Sequence, residues 1–407
     1  MYNLNAYLLG SNRSCIRELF EYGRQRAAVV GPENVFDYSL GNPSIPAPPE
    51  VDRAIRAILD DIGPLAIHGY TSAVGDLAAR TAIAADLNAR YDAQAEPGDL
   101  FIASGAAPEL AAVFRALAVP GGEILAIAPY FPEYKPFAES AGLKFNVVPP
   151  DVPGFQINLR KLEAMLTSHT QAVIVNSPNN PSGVIYAREV LERLAALLRR
   201  KSGEYGHPIY IVSDEPYREL TYGGLTTPWI PGIYPNTIVC YSYSKSLSLP
   251  GERIGYVYVP RQAEDAPALY AAIAGAARAC GHVCAPSLWQ KVIARCAHLR
   301  PDLERYDENR RTLYDNLTAL GYEMAEPDGA FYLFIKAPGG DANAFSEKAK
   351  ERDLLIVPGD SFGCPGYFRI CYCVSPDMIR RSLPVFKALL RHHGQDLNPE
   401  AIADSES

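Results

Sequence analysis

The chain has 407 residues, 48% apolar and 21% charged, with a formal net charge of −8 at pH 7. That length suffices for two or three domain-sized cores, and the acidic balance argues against general affinity for nucleic acid or anionic lipid, which clustered Lys and Arg would drive. No run approaches the roughly 20 apolar residues needed to cross a bilayer, and the amino end lacks the basic start and long apolar core of an export signal; a cytoplasmic location is expected.

Taken in chain order, the first 50 residues are irregular and proline-rich, with PSIPAPPEV before the next helix, and are expected to join a smaller unit formed with the far end of the chain. Residues 51–300 read as a large domain. Within it, short β-branched runs at 99–104, 122–128, 144–150, 171–178, 208–214, 236–242 and 253–259 alternate with amphipathic segments such as PELAAVFRALA and REVLERLAALLRR. The runs are apolar on both faces, as strands covered by helices on each side must be, so the class is α/β with a mostly parallel sheet. Segments 263–299 and 301–320 read as helices. Strands near 329–335, 354–359 and 367–374, with a helix near 342–352, then suggest a small α+β domain over 301–392, followed by a flexible, acidic tail at 393–407. The eight cysteines contain no C-x-x-C pair, and Cys371 and Cys373 alternate along an expected strand, which favours reduced, packed thiols over a disulfide or metal site.

An open parallel sheet binds its ligand beyond the carboxyl ends of its strands. The residues that follow the expected strands are Ser104-Gly105-Ala106-Ala107, Pro129-Tyr130-Phe131, the Asn176 to Pro181 loop, Asp214-Glu215-Pro216-Tyr217 and Ser242-Tyr243-Ser244-Lys245. All the polar oddities of the central region thus gather at one edge. Lys245, an amine at a strand end among hydroxyls, is a candidate nucleophile toward a carbonyl. Asp214 follows the apolar run PIYIV, where a carboxylate is costly unless it meets a cation such as a pyridinium nitrogen; a helix N-cap is the plainer reading. Gly105, Ala106 and Ala107 precede a helix opened by Pro108 and offer free amides to an anion, which Arg253, Ser242 and Ser244 could also grip. Phe131 could stack on an aromatic ring. Arg369 lies in the apolar run YFRICYC and needs a carboxylate, either internal or from a ligand.

These residues resemble the fold-type I, pyridoxal-phosphate-dependent aminotransferases of class I and II. The motifs that carry the resemblance are NSPNNPSG (176–183), SDEPY (213–217), SYSKSLSLPGERIGY (242–256), DGAFYLF (328–334) and YFRI (367–370), supported by SLGNPSIPAP (39–48) and GYTSAVGDLAAR (69–80). The resemblance implies that Lys245 carries pyridoxal 5'-phosphate as a Schiff base and shuttles the substrate's α-proton. Asp214 would pair with the ring nitrogen, Tyr217 and Asn180 with the phenolic oxygen, and Phe131 with the ring face. Gly105, Ala106, Ala107, Ser242, Ser244 and Arg253 would hold the phosphate. Tyr70 would reach the phosphate of a neighbouring subunit, making a homodimer with shared active sites. Arg369 would clamp the substrate α-carboxylate with help from Gly41 and Asn180. The expected activity moves an amino group from an α-amino acid to a 2-oxo acid, 2-oxoglutarate in the first instance, by ping-pong kinetics, with no metal. The lysine that helps some members read acidic side chains is replaced at Ala106-Ala107, and only Arg278 or Arg295 offered a second guanidinium for a distal carboxylate. A carbon–sulfur β-lyase on the same scaffold and a non-enzymatic ligand sensor are the competing readings.

Overall fold

The computed structural model describes residues 2–11 and 14–397. In chain order its strands are β1 (Phe36–Asp37), β2 (Leu100–Ala103), β3 (Glu123–Ile127), β4 (Lys144–Val148), β5 (Thr170–Asn176), β6 (Tyr210–Asp214), β7 (Thr237–Ser242), β8 (Gly255–Tyr258), β9 (Tyr332–Lys336), β10 (Leu354–Leu355), β11 (Val357–Pro358) and β12 (Tyr367–Cys371). β2 to β8 make one seven-stranded sheet in the order β2-β8-β7-β6-β5-β3-β4. β8 runs antiparallel to both of its neighbours, and the other strands share one direction.

Apolar residues alternate between two cores along these strands. Leu125, Ile127, Val173, Val175 and Ile211 pack against the helix Arg188–Tyr205 through Leu191, Leu194 and Leu198. Ile124, Ala126, Ala172, Ile174 and Val212 face the opposite way, toward the helices Ala106–Ala116 and Ala266–Ala279. Each fully buried Leu or Ile contributes roughly 1.5–3 kcal/mol, so both sheet faces demand a helical cover. That is the α/β class the uninterrupted apolar runs require.

The antiparallel sheet β11-β12-β9 forms the second centre, with Arg369 of β12 opposite Phe334 and Val357. The amino end joins it through β1, whose Phe36 and Asp37 pair in parallel with Leu354 and Leu355 of β10, and Arg26 reinforces the junction with an ion pair to Asp353 at 2.6 Å. The amino-terminal 50 residues are less irregular than expected, because Leu4–Ser11 and Cys15–Val30 are helices. The long expected helix over 263–299 is two helices, Ala266–Ala279 and Ser287–Cys296, parted where Gly281 takes φ +78° and Pro286 precedes the second. The last helix runs from Pro376 to Leu397, past the start expected for the tail; the remaining tail residues lie outside the described ones. Of the cysteines, Cys240, Cys296, Cys364, Cys371 and Cys373 are buried as expected, whereas Cys280 is exposed. No described helix is long and apolar enough to cross a membrane.

Candidate active site

The shared strand direction brings the carboxyl ends of β2, β3, β5, β6 and β7 to one edge, and the reversal of β8 delivers Arg253, two residues before that strand begins, to the same place. A cavity of about 280 Å³ opens there, closed from the other side by Gly41, Tyr332 and Arg369. Lys245, Asp214, Tyr217, Asn180, Ala106, Ala107, Phe131, Ser242, Ser244 and Arg253 all line it. Of the expected site residues, Gly105 stands just behind the wall, and Tyr70 lies away from this chain's cavity, 96% exposed.

Lys245 sits in a single helical turn, Tyr243–Ser246, whose preceding Ser242 hydroxyl accepts from the Ser244 amide at 3.2 Å. Its ammonium donates to the Gly41 carbonyl at 2.6 Å and lies 5.5 Å from the centre of the Phe331 ring. Burial pulls its pKa below the usual lysine value, opposed by the Cys373 and Cys371 thiols and assisted by the Arg369 and Arg253 guanidinia. A lower pKa raises the fraction of free amine, the form that attacks a carbonyl.

Asp214 ends β6 and is 5% exposed. The Tyr134 phenol donates to its Oδ2, while Oδ1 is buried with no partner. Among the described residues no backbone amide donates to this side chain, so the helix-cap reading does not hold. Burial pushes its pKa up to about 7, the Tyr134 hydrogen bond acts against that rise, and neighbouring Glu215 adds to it. A buried acceptor left unmade costs about 1–3 kcal/mol, which a cation brought into the cavity would offset.

The opposite wall is built for an anion. Gly105 turns the chain out of β2 with φ +86°, and a Cβ there would lie 2.7 Å from Arg253 Nη2, so the guanidinium fills the space a side chain would take. Arg253 itself has φ +53°, a conformation that costs a non-glycine residue about 1–3 kcal/mol. Its Nη1 donates to the Pro250 carbonyl at 3.0 Å and to Ser244 Oγ at 3.4 Å, and the Ser242 and Ser244 hydroxyls bond each other at 2.7 Å. A helix start, a guanidinium and two hydroxyls together make a phosphate-sized cradle.

Arg369 is 2% exposed, yet among the described residues it makes no ion pair. Nη1 donates to Asn180 Oδ1 at 3.0 Å, Nη2 to the Ser39 carbonyl at 2.6 Å, and Nε has no partner. The rings of Tyr332 and Phe362 lie 4.8 and 5.0 Å from the guanidinium carbon. Among the described residues no carboxylate neutralises this charge, which leaves it open to the carboxylate of a ligand.

Residues 33–385 match the family model described as Aminotransferase class I and II. The chain belongs to this family. It is similar to the aspartate aminotransferase of Thermotoga maritima, 29% identical over 364 residues that cover 88% of this chain and 92% of that protein. It is also similar to a probable N-acetyl-LL-diaminopimelate aminotransferase of Bacillus subtilis, 31% identical over 86% of this chain and 88% of that one. An amino transferase structure from Eubacterium rectale superposes with a TM-score of 0.94 at 52% identity, covering 97% of this chain and 99% of that chain.

In this aminotransferase, several residues shape the cavity in roles no motif specifies, although Asn176, Tyr332 and Leu40 lie within NSPNNPSG, DGAFYLF and SLGNPSIPAP. Tyr134 reaches Asp214 from the helix Tyr134–Ser140; Tyr332 hydrogen-bonds Tyr217, hydroxyl to hydroxyl, at 2.6 Å; Asn176 ties the Asn180 loop to β6 by donating to the Asp214 carbonyl and accepting from the Asn180 amide. Ile16 and Leu40 arrive from the amino-terminal segment. Neither arginine considered for a distal carboxylate comes to the cavity: Arg278 is exposed on its helix, and Arg295 lies 3.7 Å from Asp61.

Proposed function

We propose that this aminotransferase uses pyridoxal 5'-phosphate to move the amino group of an α-amino acid to a 2-oxo acid, with 2-oxoglutarate the acceptor to test first, by ping-pong kinetics in a homodimer. The observation that carries the reading is the buried, partnerless Oδ1 of Asp214 in a cavity that also holds Lys245 and an anion cradle. Bound to Lys245 as a Schiff base, pyridoxal phosphate would supply an electron sink for the charge left when a proton departs the substrate's α-carbon.

The chain's own groups do the rest. Asp214 Oδ1 would accept from the protonated ring nitrogen, Tyr217 and Asn180 would hold the phenolic oxygen, and Phe131 would cover the ring. Gly105, Ala106 and Ala107 amides, with Ser242, Ser244 and Arg253, would grip the phosphate. Arg369, steadied by Asn180 and the Ser39 carbonyl, takes the α-carboxylate beside Gly41. The Lys245 amine, freed when the incoming amino group takes its place on the cofactor, would take the α-proton and give it back later in the exchange, a role favoured by its lowered pKa. Walls of Phe131, Tyr332 and Leu40 exclude water from that transfer. The 96% exposure of Tyr70, with Leu65 and Leu77 also exposed nearby in sequence, supports its reach into a partner's site. We divide the chain accordingly into a large cofactor domain over 51–300 and a small domain from 1–50 and 301–392.

Borohydride reduction of the holoenzyme followed by peptide mapping tests the assignment. The label is expected on Lys245, and Lys245→Ala is expected to bind cofactor without covalent attachment and to lose turnover. A label elsewhere, or transamination by the variant, refutes it. Release of a 2-oxo acid and ammonia without an acceptor would favour β-elimination instead.

A further inference from the structure

The side chain of a substrate anchored at Arg369 and Lys245 must extend along whatever wall remains. Of the cations lining the cavity, Lys245 is the reacting amine, Arg253 belongs to the anion cradle and Arg369 to the α-carboxylate; among the described residues no fourth one lines it. The stretch of wall that includes the amino-terminal segment is apolar, with Ile16, Leu40 and Phe131. A carboxylate stopping in that stretch would lose water without gaining a partner.

Ile16 and Phe131 also line a second cleft, of about 510 Å³, on the outer side. Arg17, in the first turn of the helix Cys15–Val30, faces that cleft; it is exposed and makes no ion pair among the described residues. Glu21 and Glu133 line the same cleft and lower the attraction an anion would feel there. Resting on the aminotransferase reading above, we propose that the substrate side chain runs through an apolar throat of Ile16, Leu40 and Phe131 and that Arg17 reads a distal carboxylate long enough to pass it. The substrate classes follow from chain length. Amino acids with uncharged, apolar side chains end inside the throat. Glutamate and 2-oxoglutarate carry their second carboxylate one methylene further than aspartate does, out to Arg17. Aspartate places its charge in the throat and is discriminated against.

The test follows cofactor absorbance in single half-reactions of the holoenzyme with glutamate, aspartate and leucine. The wild type is expected to react faster with glutamate than with aspartate. Because Arg17 is exposed and shares its cleft with two acids, its ion pair stays within the surface range, so Arg17→Met should lower the glutamate-to-leucine ratio of kcat/KM by about two- to fivefold. Arg17→Lys should restore most of that ratio, and the aspartate-to-leucine ratio should not move. An unchanged glutamate-to-leucine ratio in Arg17→Met, an aspartate rate above the glutamate rate, or a wild type that converts leucine but not glutamate overturns the Arg17 assignment and leaves transamination standing. Failure of every amino acid to convert the cofactor brings down the aminotransferase reading itself.

Discussion

Replacing Asp214 with Asn should affect the cofactor-free and cofactor-bound proteins in opposite directions. Asn has the same shape and still accepts from Tyr134, but it never carries charge. In the cofactor-free chain the Asp214 carboxyl has its pKa raised from 3.8 to about 7, chiefly by burial. A carboxyl whose folded pKa lies above its unfolded value stabilises the fold only while protonated in both states. The folded chain therefore loses stability as pH rises between those two values and loses no more above the upper one. Each pKa unit corresponds to about 1.4 kcal/mol, so the charged carboxylate costs the cofactor-free fold on the order of 4 kcal/mol at pH 8. Asp214→Asn removes that cost, and the variant without cofactor should melt higher than wild type at pH 8, with the difference shrinking toward pH 4. With cofactor the order reverses: the ring nitrogen loses its anionic partner, the stabilisation by added cofactor shrinks, and kcat falls on the order of 100-fold. Thermal unfolding of both forms at pH 5 and pH 8, with and without cofactor, reads all of this. A cofactor-free variant no more stable than wild type at pH 8, or one that gains as much from cofactor as wild type does, would refute the reasoning.

If the buried guanidinium of Arg369 grips the α-carboxylate that all donors share, Arg369→Ala should raise KM on the order of 100-fold for amino donors of every side chain; steady-state kinetics on four unrelated donors checks this, and an unchanged KM would mean that Arg369 serves only the fold. Tyr134→Phe deletes a hydrogen bond that favours the ionised form of Asp214, so the Asp214 pKa rises further and the acid limb of the kcat/KM profile should move to higher pH; a limb that stays put would exclude Asp214 as the group titrating there.

The parallel sheet was legible because strands covered on both sides have no polar face to confuse the pattern: Leu125, Val173, Val212 and Val239 sit in uninterrupted apolar runs, and all are buried. The helix Cys15–Val30 was not, although Leu19 and Gly23 fall on one buried face four residues apart. Charged residues at 17, 18, 21, 24 and 26 dilute its pattern, and the prolines beyond residue 31 drew the whole segment toward an irregular reading. Expecting one helix over 263–299 failed for the opposite reason. Alanine-rich composition at 271–279 sustains a helical pattern, and only the Gly281 turn and Pro286 interrupt it.

At the site, the residues found from sequence are those that follow a strand directly, since the carboxyl-edge rule converts linear position into place. Tyr134 escaped because it meets Asp214 across 80 residues, and Tyr332 because it meets Tyr217 across 115. Ile16 and Arg17 escaped because nothing in a linear pattern says that the first long helix begins beside Phe131. Yet the groups left unsatisfied point the same way as the motifs. Asp214 Oδ1 and Arg369 Nε, each buried without a partner, sit in two different sheets and belong to two residues lining one cavity. Buried polar atoms elsewhere, among them both carboxylate oxygens of Glu109, also lack a partner at about 1–3 kcal/mol each, but Asp214 and Arg369 are of opposite charge and line the same cavity. Their opposite charges, held on opposite walls, call for a molecule that carries a cation toward β6 and a carboxylate toward β12. A protonated pyridine ring with an amino acid bound beside Lys245 would have both.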